Sequence, residues 1–228
     1  MKTFLEICKE VLSEAGLSGT GPSSVISAVG VEKRIVGWVS QAWLDVQQYR
    51  DDWPWMVKDF SFITSPDKDL YPLSELLLTD LERWEFSGAS IYKTTDGKKA
   101  ERPLKSAHYG VWWEKYRMGE QLTAEPGIIM AQPVDNALRL HPEPDAEYTV
   151  TLRYYRSLQI LTSDADIPLM PPGSSWQDII KWKSLLYYAF HDGAPGIATE
   201  AMDKWDTAIQ AMDNRYGQDI SFNMGTLA

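Results

Sequence analysis

The stretch from Val31 to Trp55 constrains the fold more than any other part of the chain. Its apolar residues recur at steps of three and four, which places them on one side of a helix: Ile35, Val39, Ala42, Val46 and Tyr49. We expect an amphipathic helix of about five turns that ends at Trp53-Pro54-Trp55, because the residue before a proline avoids the helical region. A helix with tryptophans beside its apolar stripe needs other helices to cover it.

The N-terminal segment predicts a first helix from about Phe4 to Ala15. Thr3 and Glu6 have the spacing of a capping box, in which each side chain satisfies the backbone N–H of the other residue. Cys8 falls on the apolar face, so we expect a core residue and not a nucleophile. Residues 17–30 are rich in Gly and Ser and are interpreted as a linker, since they lack the spacing of a phosphate-binding loop.

Two further amphipathic helices are predicted near the end of the chain. The third is expected to begin with a second capping box, formed by Ser174 and Gln177, and to end at Gly193. The fourth starts at Pro195, which the first turn of a helix tolerates, and ends at Gly217. The apolar face of the third helix is predicted to contain Ile179, Trp182, Leu186, Ala189 and Phe190.

Between the second and third helices the pattern changes from helical to mostly alternating. Five short segments are rich in β-branched and aromatic residues and predict strands: Val57 to Ile63, Ala89 to Lys93, Gly127 to Val134, Ala137 to His141 and Glu147 to Leu158. The sequence therefore predicts an α+β fold with three parts. Residues 1–56 and 159–217 form a four-helix bundle, residues 57–158 form an inserted β-rich domain, and residues 218–228 form a C-terminal tail.

The interval from Lys105 to Gly119 is predicted to be a short helix inside the β-rich domain. One face of this helix is aromatic, with Tyr109, Trp112, Trp113 and Tyr116. An aromatic stripe at that spacing is more often core or interface than a ligand platform, yet Trp and Tyr are also enriched at binding contacts. Both interpretations stay open at the level of sequence.

The charge of the chain is acidic and spread along its length. The net charge is −10, and no third of the chain is basic. A protein that grips nucleic-acid phosphates tightly needs a basic surface, so we do not expect tight DNA binding. The chain has no signal-peptide pattern and no long apolar run, so we expect synthesis in the cytoplasm and no membrane insertion.

No catalytic or metal-binding pattern stands out. His108, His141 and His191 share no metal-ligand spacing, and HExxH, CxxC and nucleophile-elbow motifs are absent. Asp164 and Asp166 resemble the start of a calcium loop, but the required glycine and distal glutamate are missing, so we interpret a turn whose aspartates bond local backbone. We therefore do not expect an enzyme.

The C-terminal tail follows the stop of the fourth helix and has no helical period of its own. It places Ile220, Phe222 and Met224 at every second position, on one side of an extended strand. Simple disorder is one interpretation of such a tail. The other is that these three residues bind a partner by adding a strand or filling a groove, and that the tail becomes ordered only on assembly.

The order of these features resembles the head-to-tail adaptor proteins of tailed bacteriophages, also called connector or head-completion proteins. The resemblance covers nearly the whole chain. Its firmest parts are two runs, AWLDVQQYRDDWPWM from Ala42 to Met56 and RYYRSLQILTSDADIPLMP from Arg153 to Pro171.

The resemblance implies a structural protein of the virion, located at the head–tail junction. Such a protein binds below the portal protein and joins the capsid to tail or nozzle proteins. It forms a homo-oligomeric ring, usually of twelve copies, around the channel for DNA ejection, and DNA passes without sequence-specific binding. It is not an enzyme and needs no cofactor.

Two other classes of protein are alternatives. A tail-terminator or tail-tube ring belongs to the same machine, although tail-tube rings are dominated by β-structure and this chain predicts four long helices. A carbohydrate-binding module for receptor recognition would instead use the aromatic stripe from Tyr109 to Tyr116 to stack on sugars.

Overall fold

The first two helices start where the sequence predicts, but the second ends early. The structure is a computed structural model and describes residues 1–118 and 122–217. Helix α1 spans Phe4–Glu14 and has the predicted capping box, since the Glu6 N–H donates to the Thr3 hydroxyl at 3.3 Å and the Thr3 N–H donates to the Glu6 carboxylate at 2.7 Å. Helix α2 spans Gly30–Gln48, which is the predicted length of about five turns.

The prediction that α2 ends at Trp53-Pro54-Trp55 is wrong. The chain leaves the helix after Gln48 because two side chains turn it back onto the protein. The Trp53 indole N–H donates to the Val46 carbonyl at 2.9 Å, so Trp53 covers the last turn of α2. The Arg50 guanidinium meanwhile binds the carboxylates of Asp52 and Asp213 at 2.6 and 2.7 Å.

The remaining long helices are α4, Ser174–Asp192, and α5, Pro195–Tyr216. Their predicted ends are confirmed, with Gly193 in the left-handed conformation after α4 and Pro195 in the first turn of α5. The predicted capping box of Ser174 and Gln177 is wrong, because Gly173 is the N-cap of α4. The buried Gln177 amide instead pairs with the backbone of Lys2, which donates its N–H at 2.6 Å and accepts at its carbonyl at 2.9 Å.

These four helices belong to one unit of the chain, residues 1–55 with 158–217, which we call the helical unit. Helix α4 packs against α1, α2 and α5, and α1 also packs on α2. Helix α4 thus contacts every other long helix of the unit, and its residues Ile179, Ile180, Ser184, Leu185 and Ala189 are buried. The buried residues of α1 and α2 include Ile7, Cys8, Val11, Ile35, Val39, Trp43 and Val46.

Residues 56–157 form the second unit, which we call the β unit. Its strands are β1 Val57–Ile63, β2 Leu70–Tyr71, β3 Leu81–Lys93, β4 Arg102–Pro103, β5 Lys105–Ser106, β6 Ile128–Ala131, β7 Leu138–His141 and β8 Tyr148–Arg156. They form two four-stranded sheets with the orders β1-β8-β3-β4 and β2-β7-β6-β5. All pairs are antiparallel except β5 with β6. The α+β class is therefore confirmed.

The first and last strands of the β unit are neighbours. β1 pairs with β8 along its whole length, from Val57 opposite Tyr155 to Ile63 opposite Thr149. This pairing brings the two ends of the segment 56–157 together. The core between the sheets is formed by Tyr71, Trp84, Ile91, Ile129, Leu138, Leu140, Val150, Leu152 and Tyr154 among others.

The predicted helix from Lys105 to Gly119 is wrong over its first part. Lys105 and Ser106 form β5 and pair with β6, and the Lys105 N–H donates to the Gly127 carbonyl at 3.0 Å. Helix α3 begins only at Tyr109 and spans Tyr109–Lys115, capped by the His108 ring nitrogen, which accepts from the Gly110 N–H at 3.1 Å.

Within the described residues, no helix is both long and apolar enough to cross a membrane.

Candidate docking surfaces

The predicted partner-binding residues Ile220, Phe222 and Met224 lie outside the described residues. The last described element before them is α5, which ends at Tyr216 with Gly217 as its C-cap. The candidate surfaces that the structure places are therefore elsewhere, and two of them lie in the helical unit.

The first surface is a groove at the turn between α4 and α5, which we call the hairpin groove. The left-handed Gly193 reverses the chain, and the Ala194 N–H donates to the Ala189 carbonyl at 3.0 Å. The groove has a volume of about 780 Å³ and is lined by Ala189, Phe190, Gly193, Ala194, Pro195, Ala198, Thr199, Met202, Asp203 and Asp206. Its floor is thus mostly apolar, with two carboxylates at its edge.

Phe190 dominates the hairpin groove. The sequence predicts this side chain on the buried face of the third helix, but it is 70 % exposed, and Met202 across the groove is 52 % exposed. Phe190 lies in the last turn of α4, two residues before the helix ends. Exposed large apolar side chains that line a concave surface are typical of protein contacts.

The second surface is the segment that leads into α2, which we call the α2 entry patch. It consists of Ile26, Val29 and Val31, which are 79 %, 74 % and 48 % exposed. The sequence predicts a linker at Ile26 and Val29 and the start of the second helix at Val31. Apolar residues such as Ile26 and Val29 within a Gly/Ser-rich segment are the sequence signal for this surface.

The turn that presents Ile26 is fixed by Asp164. The Asp164 carboxylate accepts from the Val25 N–H at 2.6 Å and from the Ser24 hydroxyl at 3.2 Å. Val25 is buried by this anchoring, and its neighbour Ile26 points outward. The prediction of bonds to local backbone is wrong for Asp164, whose carboxylate holds a loop that is distant in sequence. It is confirmed for Asp166, which binds the N–H groups of Thr162 and Ser163.

Asp166 stabilises the same turn from the other side. Its carboxylate accepts from the Ser163 hydroxyl at 2.7 Å and from the backbone N–H groups of Ser163 and Thr162 at 2.8 and 2.6 Å. These hydrogen bonds, that of the Ser163 hydroxyl first, hold the pKa of Asp166 below its ordinary value. The Asp166 carbonyl also accepts the Phe4 N–H at 2.7 Å, which ties the turn to the start of α1.

The α2 entry patch adjoins α2, whereas the hairpin groove is lined by residues of α4 and α5. α2 and α5 both pack on α4 but make little contact with each other. Near the end of α4, Arg34 and Trp38 of α2 meet His191, at 3.1 Å between Arg34 Nη1 and His191 Nε2 and 5.5 Å between the Trp38 and His191 rings. The hairpin groove, in contrast, lies where α4 meets α5.

The aromatic stripe of α3 packs mostly within the β unit. Trp112 is buried, with the Arg139 guanidinium 4.0 Å from its ring centroid, and Tyr109 stacks on it at 5.4 Å. Tyr116 stacks on His141 at 4.2 Å. Trp113 is half exposed, and the Arg117 guanidinium lies 4.0 Å from its ring centroid. The stripe is therefore not a row of open ring faces.

Cys8 and the three histidines, which are the side chains with catalytic potential, have structural contacts and do not form a common site. Burial raises the pKa of the Cys8 thiol to about 12, so Cys8 is a core residue as predicted. The three histidines lie in different places: His108 caps α3, His141 stacks on Tyr116, and His191 contacts Trp38 of α2. Across residues 1–118 and 122–217, no group of three metal-ligating side chains is arranged to hold an ion.

Comparison with known proteins identifies a family. The family model described as "SU10 adaptor protein" matches residues 2–225. No curated protein matches the chain. The family match covers nearly all of the sequence and agrees with the resemblance to phage head-to-tail adaptors. The chain therefore belongs to the SU10 adaptor protein family and is a bacteriophage structural adaptor protein.

Proposed function

We propose that the protein is a head-to-tail adaptor that forms a ring of twelve copies below the portal protein and joins the capsid to tail or nozzle proteins. In this proposal the four helices act as one bundle that carries the inserted β-domain, and DNA passes through the ring during ejection. The family match over residues 2–225 is the observation that carries the proposal.

The exposed apolar surfaces of the helical unit support a role in assembly. The hairpin groove and the α2 entry patch each present large apolar side chains to solvent in a lone copy. Burial of such side chains contributes about 25 cal/mol per Å² of apolar area, so both surfaces favour contact with other proteins. A ring that contacts a portal on one side and a tail protein on the other needs several such surfaces.

The acidic charge supports passage of DNA without adhesion. The net charge of −10 is repeated in every copy of a ring, and like charges repel the DNA phosphates. A channel of this kind lets DNA slide and does not read its sequence. We propose further that the protein works without catalysis and without a cofactor.

The C-terminal residues Ile220, Phe222 and Met224 are proposed to contact the portal or an adjacent subunit. Their alternation suits strand addition, in which main-chain bonds supply affinity and every second side chain supplies specificity. This part of the proposal rests on the sequence, because the three residues lie outside the described part of the chain.

The proposal is tested by mixing the full-length protein with the portal protein of the same phage and imaging the mixture by negative-stain electron microscopy. We expect rings stacked on the narrow end of the portal. A protein that stays unattached at micromolar concentrations of both partners contradicts the proposed function.

The tail is tested in the same mixture with one triple variant and one double variant. Ile220→Ser with Phe222→Ser and Met224→Ser is expected to lose attachment while its melting temperature stays close to that of the natural protein. Ser221→Ala with Asn223→Ala changes the alternate positions and is the matched control, which should attach normally. Normal attachment by the triple variant would rule out the tail as the portal contact.

A further inference from the structure

We propose that the hairpin groove of one copy receives the α2 entry patch of the next copy, and that this contact closes the ring. The occupant of the groove is thus a second copy of this chain. The inference rests on the proposed ring and specifies which surfaces build it.

The apolar parts of the two surfaces are complementary in form. The groove is concave, with Phe190 and Met202 exposed along a volume of about 780 Å³. The patch is a projecting turn, in which Asp164 fixes Val25 inward and leaves Ile26 outward. A side chain such as Ile26 fits a groove lined by small residues, among them Ala194 and Ala198.

The charges at the two edges are opposite. Asp203 and Asp206 line the groove and are exposed, and neither forms an ion pair within residues 1–118 and 122–217. Lys33 and Arg34 follow the patch in the first turns of α2 and are exposed, and together they outweigh the adjacent Glu32. Opposite charges around an apolar contact fix its orientation and disfavour other partners.

The positions of the helices favour a head-to-tail contact. The groove belongs to the α5 side of α4 and the patch to α2, and these two helices make little contact with each other. The two surfaces of one copy are therefore different and lie on different helices. A contact between different surfaces is heterologous, and its repetition produces a ring when the rotation closes.

The first test is a chemical cross-link between Ile26→Cys and Met202→Cys in one chain. Cys8 is buried and stays unreactive in the folded protein. With a short bis-maleimide, we expect a ladder of covalent oligomers on a denaturing gel, both at high protein concentration and on the portal. Gln48→Cys with Met202→Cys is the matched control and should give no ladder.

The two single-cysteine variants test whether the contact is heterologous or two-fold symmetric. Ile26→Cys alone and Met202→Cys alone should remain monomeric on the gel, because a heterologous contact pairs different surfaces. Covalent dimers from either single variant would indicate a two-fold contact and would overturn the proposal.

The second test reverses the charges. Asp203→Lys with Asp206→Lys, and separately Lys33→Glu with Arg34→Glu, should each lower the cross-linked yield about tenfold or more, since like charges then face each other. Mixed one to one, the two variants should recover the ladder as alternating oligomers, because both mixed contacts pair opposite charges. In one contact the two reversed surfaces meet, and in the other the two natural surfaces meet. The chain that carries all four substitutions should recover the ladder, and failure to recover it would contradict the predicted pairing.

The outcomes separate this inference from the proposed function. Attachment to the portal without the cross-linked ladder overturns the inference and leaves the adaptor function standing. A ladder without portal attachment supports the contact and contradicts the function. Absence of both overturns both proposals.

Discussion

The helical unit is assembled from two separate segments of the chain, residues 1–55 and 158–217, whereas the β unit is one continuous segment, residues 56–157. In the β unit the ends are joined by the ladder between β1 and β8. No strand ladder joins the two segments of the helical unit in the described residues. Buried side chains connect them, together with single backbone bonds such as that from the Phe4 N–H to the Asp166 carbonyl.

Two amides join the segments of the helical unit. Gln47 accepts the Gln159 N–H at 2.7 Å and donates to the Gln159 carbonyl at 3.0 Å, and Gln177 makes the same pair of bonds with Lys2. Both glutamines are buried. A buried amide that pairs with a backbone amide imitates one rung of a sheet. The comparison teaches that distant segments are aligned by side-chain amides where no strand pairing is present.

The largest expected effect is that of Trp43→Ala in the helical unit. Trp43 is fully buried, and its indole N–H donates to the Gln159 side chain at 3.1 Å. The cavity and the lost burial should lower the free energy of unfolding by about 3–5 kcal/mol. Hydrogen exchange followed by mass spectrometry should show lost protection in α2 and α4 and unchanged protection in β1 and β8.

The control for this substitution is Trp113→Ala, which removes a half-exposed ring from α3 and should change stability little. An equal loss of protection in the strands and the helices after Trp43→Ala would mean that the two units unfold as one. The helical unit and the β unit would then not differ in their free energies of unfolding.

A smaller effect is expected for Gln47→Leu, which removes one amide rung. The Gln159 N–H and carbonyl then lose their partners, and each unsatisfied buried group costs about 1–3 kcal/mol. We expect a total loss of about 2–4 kcal/mol in urea unfolding monitored by helical circular dichroism. Gln48→Leu, at an exposed neighbouring position, should change stability by less than about 0.5 kcal/mol. Equal stability of the two variants would show that the amide rung is dispensable.

The elements that could be predicted from sequence are those with long periodic patterns. α1, α4 and α5 have apolar residues at helical spacing and clear stop residues. β8 alternates over most of its nine residues, and β1 has seven residues with Phe60 and Phe62 on one side. β2, β4 and β5 have two residues each, which is too short for a period. The sequence predicts only the second half of β3, from Ala89 to Lys93, because Glu82, Arg83 and Glu85 break the apolar pattern before it and Gly88 lies in a register shift.

The candidate surfaces depend on tertiary contacts and so were harder to predict. The exposure of Ile26 follows from the hydrogen bonds of Asp164, which is far away in the sequence. The early end of α2 likewise depends on Asp213, which binds Arg50 from α5. Local spacing contains no information on such partners, whereas the family resemblance draws on the whole chain at once.

The smallest expected effect concerns acid, and it should appear in the helical unit. The pKa of Asp166 is lowered in the folded protein by hydrogen bonds from Ser163 and Thr162, below the ordinary value of about 3.9. A lowered carboxyl pKa contributes stability that is present above the unfolded pKa and is lost as the pH falls through the folded pKa. Asp166→Asn should therefore be less stable than the natural protein at pH 7 and should lose less stability between pH 5 and about pH 2.

Asp203→Asn, which changes an exposed carboxylate of α5, should keep the natural pH profile, and urea unfolding at a series of pH values measures all three proteins. The same acid sensitivity in Asp166→Asn as in the natural protein would mean that other carboxylates, and not the turn that joins residues 162–166 to α1, govern the acid response of this unit.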